Sequence, residues 1–206
     1  MTCPYQSIGF CAGLTQAERE HLCGKHCHLR RYGKGQRMNY RYWENTFGIL
    51  QEGLMVFGEF DEQGKFSALQ MAGKGTLISP GQLMDIWSEP SADSEVLCLQ
   101  PCKVVVLDTE AVRMLYDRDI DFVKLVMGSL YTCSMENYTA LKMIGGRSAY
   151  EAVRYILEWC RRKGTTGLTH EMIAVLCNRS RPSVTIAMHD ILKNEPELLC
   201  AEQKTE

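Results

Sequence analysis

A chain of 206 residues, 45% apolar and 23% charged with a net charge of −2, has the composition of a soluble globular protein and the length for one large or two small domains. No apolar run approaches the roughly 18 residues of a membrane span, and Met1 to Phe10 lack the basic-then-apolar pattern of a secretory signal, so membrane and secreted classes are excluded and a cytoplasmic location is expected. The ten cysteines are scattered, and Cys133, Cys160 and Cys177 fall in apolar patterns, which reads as reduced thiols rather than a disulfide framework.

The first predicted element is a short helix from Thr15 to about Lys25, opened by a Thr15–Glu18 capping box. It runs into Cys23-Gly-Lys-His26-Cys27-His28, whose side chains are metal-ligand types, with Cys23, Cys27 and His26 as the candidate ligands. Buried structural thiols are the competing reading, because cysteine is among the most buried residue types. Haem through His21, His26, His28 or a thiolate, or an iron–sulfur centre, stays open at this stage, and no cofactor is fixed. Beyond this stretch, Phe47 to Gln51, Leu54 to Phe60, Phe66 to Met71 and Lys103 to Leu107 read as strands, and Asp61-Glu-Gln-Gly64 as a hairpin turn. With glycines at 33, 35, 53, 73, 75 and 81 marking further corners, they predict an antiparallel barrel or roll over about residues 29 to 108, within a sensor domain of residues 1–110. No catalytic constellation lies in these strands.

From about Ala111 the period becomes helical, and residues 111–145 read as one long helix with a hinge at Gly145-Gly146. Val123, Leu130, Asn137 and Ile144 fall seven apart, with Met127, Ser134 and Leu141 four after the first three, a heptad seam that predicts a homodimer. Asn137 at an a position would fix register at some cost in stability. An amphipathic helix packed on its own roll would show a similar stripe, and one helix can do both.

Residues 146–206 form the last predicted domain. Thr169 caps a first helix whose inward face is Met172, Ile173, Leu176 and Cys177. Asn178 suits a tight left-handed corner, and Ser180 and Pro182 open a second helix with Val184, Ala187, Met188, Ile191 and Leu192 inward. Arg181, Ser183, Thr185, Ile186 and His189 then face outward. This is the shape of a helix-turn-helix, whose second helix presents its N-terminal residues to base edges in the DNA major groove. Arg181 is placed for a guanine edge, Ser183 and Thr185 for bases or phosphates, Arg179 for phosphate, with Ser180 and His189 completing the interface. Residues 145 to 194 hold eight basic and four acidic side chains, a local +4 that leaves −6 on the rest of the chain. A basic module on an acidic body fits a domain that meets phosphates.

Taken together, the glycine-cornered roll, the long helix, the hinge and the sequence Leu168-Thr169, Ile173-Ala174, Ser180-Arg181-x-Ser183-Val184 resemble the CRP/FNR family of bacterial transcription regulators from about Cys27 to Asn194. His26-Cys-His-Leu-Arg-Arg-Tyr32 and Gly146-Arg147 add to the likeness. The resemblance implies an α+β fold: an N-terminal antiparallel roll like a cyclic-nucleotide-binding domain, a long dimerisation helix, and a C-terminal helix-turn-helix domain. It implies double-stranded DNA, a second copy of the chain and RNA polymerase as partners. It also implies a small effector between roll and helix that biases a two-state switch; Gly81, Gln82, Trp87, Thr132 and Cys133 would line that pocket.

Three departures shape the expectations. Cyclic-AMP-binding members hold the phosphate with an arginine in the roll, whereas Ser79 to Ser94 here has no arginine or lysine and carries Asp85, Glu89 and Asp93. A buried phosphate there would lack a cation, so cyclic AMP is disfavoured. The spacing of Cys3, Cys11, Cys23, Cys27, Cys98 and Cys102 differs from the cysteine set of oxygen-sensing members. Pro182 and Ile186 replace the family's base-reading Glu and Arg, and the chain after Asn194 is short for the family's β-hairpin wing, so the wing is expected to be truncated or missing. Phosphate contacts would then fall to Arg179, Arg154 and Lys193. The expected function is a homodimeric, non-enzymatic, effector- or redox-responsive transcription regulator. The rivals are a ligand-binding or signalling module with a degenerate helix-turn-helix, and a thiol enzyme using Cys23 and His26.

Overall fold

A computed structural model of the chain describes residues 14–39, 46–78 and 94–199. A short helix α1 (Gln16–His21) carries the expected capping box, Thr15 and Glu18 each bonding the other's backbone N–H, and passes through a wide helical turn (Leu22–His26) into the first strand. Among the described residues eight strands come next: β1 (Cys27–Tyr32), β2 (Arg37–Asn39), β3 (Thr46–Glu52), β4 (Met55–Phe60), β5 (Phe66–Ala72), β6 (Leu77–Ile78), β7 (Glu95–Cys98) and β8 (Cys102–Asp108). They form two antiparallel four-stranded sheets, ordered β1-β8-β3-β6 and β2-β7-β4-β5. The roll begins at Cys27, two residues before the boundary expected from sequence.

Burial explains the strand composition. The continuous run Val104-Val105-Val106-Leu107 is apolar throughout because β8 is covered on both faces. Val104 and Val106 point between the sheets with Leu50, Met55, Val96 and Cys98, while Val105 and Leu107 point outward onto Leu22, Leu115, Phe122 and Val126 of the helices. The second sheet is covered too: Leu54, Val56, Met71 and Leu99 share one core with the C-terminal helices. Between β4 and β5, Asp61 Oδ1 accepts the Gln63 and Lys65 N–H groups and Gly64 takes φ +76°, which closes the predicted turn.

The helix expected from Ala111 to Gly145 is two helices. Helix α2 (Thr109–Arg118) is capped by Asp108; the buried Asp119 then breaks the run and caps α3 (Ile120–Ala140), accepting from Asp121 and Phe122 N–H at 2.9 and 3.2 Å. The α3 run loosens into a wide turn (Leu141–Gly145) at the predicted hinge. Helices α4 (Ala149–Arg162), α5 (His170–Leu176) and α6 (Arg181–Asn194) are the last helices among the described residues, with one tight turn (Pro196–Leu198) after them. No strand comes after α6 among the described residues. Trp159 of α4 is fully buried at the centre of the shared core. Gly73 permits this approach, since a Cβ there would lie 2.9 Å from the Lys163 Cβ.

Candidate functional site

The α5–α6 pair is built from local signals. Thr169 Oγ1 accepts the Met172 N–H, Asn178 takes φ +51° at the corner, and Ser180 Oγ accepts the Ser183 N–H, with Pro182 in the first turn of α6. Met172, Ile173, Ala174, Leu176 and Cys177 are buried, as are Val184, Ala187, Met188 and Ile191. Leu192, read as inward, is instead 38% exposed. Burial pushes the Cys177 thiol up to about 11, so this cysteine behaves as a small apolar side chain.

The predicted outward residues divide into two groups. Arg181, Thr185, Ile186 and His189 are exposed, and Ser180 and Ser183 share a 2.8 Å hydroxyl contact at the helix start. Thr185 Oγ1 donates to the Arg181 carbonyl and lies 3.1 Å from His170 Nδ1. Arg179 is engaged elsewhere: its Nη2 donates to the carbonyls of Ile144 and Arg147 at 2.8 and 3.1 Å, tying the turn to the hinge. Arg154, offered as a phosphate contact, is held by Glu195 at 2.7 Å and Glu158 at 3.1 Å. Glu195 also accepts from the Tyr150 hydroxyl, and these two donors hold its carboxyl below the usual range. Sequence reasoning missed a contact at the corner itself: the Asn178 amide bonds both the N–H and the carbonyl of Ala68 at 2.8 Å, pairing the turn with the edge strand β5.

Helix α3 places the predicted seam differently. Val123, Leu130, Asn137 and Ile144 are half-buried; Leu130 packs on the core of the first sheet, Ile144 on the shared C-terminal core, and Asn137 donates to Cys133 Sγ. Met127 and Leu141 of the seam are exposed, and they join Ile120, Tyr131, Met135 and Tyr138 in an apolar stripe; Tyr131 is 70% and Leu141 75% exposed. The exposed face is turned by roughly 70° about the helix axis from the seam read in the sequence. Leu130 and Ile144 of the seam are thus partly covered by their own chain.

A cavity of about 490 Å³ lies between the roll and α3. Gln70, Thr76 and Leu77 of the roll, Lys124, Gly128, Ser129, Thr132, Cys133 and Glu136 of α3, and Lys163 at the end of α4 face it. Of the five residues expected to line an effector pocket, Thr132 and Cys133 face this cavity, and Gly81, Gln82 and Trp87 lie outside the described residues. Lys163 and Glu136 pair at 3.0 Å, and the Cys133 sulfur accepts from the Gln70 amide at 3.0 Å. Burial, with the Glu136 charge, raises the Cys133 thiol above its ordinary value. The lysines are what the sequence reading missed: they reach the cavity from α3 and α4, not from the segment between β6 and β7.

The cysteine–histidine stretch is also rearranged. Cys27 is buried in the first-sheet core and Cys23 packs against it, while the His26 ring turns to Asp108, Nδ1 to Oδ2 at 2.8 Å. Among the described residues, ligand atoms of His21, His26 and Glu110 converge within 4.8 Å of one another, a set that shares only His26 with the Cys23, Cys27 and His26 expected from sequence.

No protein-family model and no curated protein matches the sequence. Solved structures do match in fold. A cyclic nucleotide-binding domain containing protein from Listeria monocytogenes superposes with a TM-score of 0.69 at 11% identity, over 92% of this chain and 90% of that one. The c-di-GMP responsive global regulator CLP of Xanthomonas campestris gives 0.61 at 10% identity, over 87% and 93%. TTHA1359, a CRP/FNR-family transcriptional regulator from Thermus thermophilus, gives 0.59 at 14% identity, over 82% and 87%. The chain has the CRP/FNR fold. Within that fold the order roll, long helix, hinge and helix-turn-helix is the order found here, with α6 the second helix of the motif. The α+β class and the roll expected from sequence agree with it. No helix among the described residues is long and apolar enough to cross a membrane.

Proposed function

We propose that the protein is a homodimeric, sequence-specific DNA-binding transcription regulator of the CRP/FNR type, switched by a small effector other than cyclic AMP. The observation that carries the reading is the α5–α6 pair, whose second helix leaves Arg181, Thr185 and His189 exposed at one face while its other face is buried in a core. Arg181 reads a guanine edge, and Ser183, Thr185 and His189 serve bases or phosphates. Ser180 positions α6 as its cap, and Arg179 couples the turn to the hinge.

Dimerisation falls to the exposed α3 stripe of Ile120, Met127, Tyr131, Tyr138 and Leu141, an apolar face of the kind that marks an interface. Two α6 helices related by that axis would read half-sites about one DNA turn, roughly 34 Å, apart. The effector reading rests on the cavity between roll and α3, whose walls come from three parts of the molecule that a ligand would bias together. Cyclic AMP is disfavoured because Ser79 to Ser94 brings no cation and the two lysines that face the cavity, Lys124 and Lys163, are already paired with Asp121 and Glu136. RNA polymerase is the expected partner of a DNA-bound regulator, and a cytoplasmic location accords with that role.

The test is a gel shift on an operator selected from random DNA. Arg181→Ala should cost about 1–3 kcal/mol on the selected operator and much less on random DNA. Equal losses on both would remove base reading by Arg181, and no selectable operator under any effector or redox condition would favour a ligand-binding module with a degenerate helix-turn-helix.

A further inference from the structure

Outside α6 and the cavity lining, three side chains from separate elements converge. His21 ends α1, His26 ends the wide turn after it, and Glu110 lies in the first turn of α2. One ligand atom from each lies within 4.8 Å of the others. The His21 and His26 rings are 5.1 Å apart between centroids and tilted by 54°, so they converge without stacking face to face.

The arrangement behind these groups is as informative as the groups themselves. Asp108 Oδ1 accepts the Ala111 N–H at 2.9 Å, which fixes the carboxylate as the cap of α2. Its other oxygen lies 2.8 Å from His26 Nδ1. With Nδ1–H donated to Asp108, His26 Nε2 is left as the ligating nitrogen, and it already lies 3.9 Å from Glu110 Oε1. A carboxylate behind a histidine, fixing its tautomer and ring orientation, is the usual support of a metal-bound imidazole. His26 is 12% exposed at the back, while Glu110 is 76% exposed at the front. The site therefore has a rigid, covered wall and an open side for a water ligand.

We propose that His21, His26 and Glu110 bind a divalent transition-metal ion of the zinc class, with Asp108 orienting His26 and water in the fourth position. Two imidazoles and one carboxylate with an open place form an established donor set for such an ion, with bonds of about 2.0–2.2 Å. The side chains are close enough to reach that geometry by turning the exposed Glu110 and His21 about their own bonds. The bound ion would clamp α1 to the start of α2, adding to the Glu18–Arg118 ion pair that already joins α1 to the other end of that helix. The sulfur atoms of Cys23 and Cys27 have no part in it. This site shares no residue with α6 or with the lining of the cavity.

The experiment is equilibrium dialysis of the full-length protein against Zn2+ with elemental analysis, paired with the absorption spectrum of the Co2+ form. The expected result is one ion per chain and cobalt ligand-field bands without thiolate-to-cobalt charge transfer. Glu110→Gln, at an exposed position that leaves the fold intact, should weaken binding at least tenfold, and Asp108→Asn by about 10–100-fold. His21→Ala should abolish the stoichiometric ion, and Cys23→Ser should change nothing. A charge-transfer band or loss of the ion in Cys23→Ser would assign the metal to sulfur and overturn the proposal. So would the absence of bound ion in the wild-type protein, or unchanged affinity in Glu110→Gln. Circular dichroism on each variant separates loss of ligand from loss of fold.

Discussion

The α5–α6 pair and the long helix α3 are both amphipathic, but they spend their apolar faces differently. In the pair each helix has one apolar face, and that face is buried in the core that Trp159 centres. In α3 two faces are apolar: Phe122 and Val126 lie in the first-sheet core with Leu125 and Leu130 packed beside them, while Met127, Tyr131, Tyr138 and Leu141 point to solvent. A helix with one apolar face has one way to pack, so its period identifies its inward residues. A helix with two leaves the choice to whatever surface meets it first, and the roll on the same chain meets α3 before any partner.

Mutations can break or sharpen this contrast. The largest effect is expected in the shared core, where Trp159→Ala should cost about 3–5 kcal/mol in urea unfolding. Because that core includes Leu54, Val56 and Met71 of the roll, roll and helical domain should unfold in one transition; two separated transitions would show that the joint is weak. Next come paired substitutions on α3. Tyr131→Glu with Tyr138→Glu should give folded monomers in sedimentation, whereas Leu130→Glu should lower thermal stability through its contact with the first-sheet core. If Leu130→Glu dissociated the dimer with no loss of stability, the heptad seam of the sequence would be the interface after all.

A smaller effect tests the corner. Asn178→Ala loses two hydrogen bonds to Ala68 and places alanine at a left-handed φ, for a cost of about 2–3 kcal/mol in all. Asn178→Gly loses the same bonds without the strain, so it should be less destabilised by about 1 kcal/mol. Equal losses would mean that the corner is not strained. The smallest effect is chemical. With its thiol raised to about 11 by burial, Cys177 should resist iodoacetamide at neutral pH and react only as the pH climbs toward that value, because the thiolate is the nucleophile. The half-buried Cys23 should be alkylated before Cys177, as monitored by peptide mass spectrometry.

The helix-turn-helix was legible in the sequence because its determinants are local. Thr169 and Ser180 cap the two helices, Asn178 turns the corner, and the buried positions keep to the helical period, with Leu192 the exception. The Thr15–Glu18 box and the Asp61–Gly64 turn were legible for the same reason: each is complete within about four residues. Strands β3, β4, β5 and β8 could be read from their apolar runs. The polar β1 (Cys27–Tyr32) could not, and β2, β6 and β7 are too short to carry a period; all four exist because neighbouring strands pair with them. Asp119 gave no periodic signal, yet it divides the long helix because its side chain caps the N-terminus of α3.

Composition and local pattern therefore determined the α+β class, the caps and corners, and which face of α5 and α6 turns inward. Tertiary structure alone decided which face of α3 is left open, why Arg179 sits on the hinge carbonyls, and that Lys163 reaches the cavity. It also brought Glu110 to His21 and His26. The physical reason is range: caps and turns act between residues a few positions apart, so sequence spacing encodes them. The partners of a charge or of a second apolar face are set by which distant surface the packed chain brings against it.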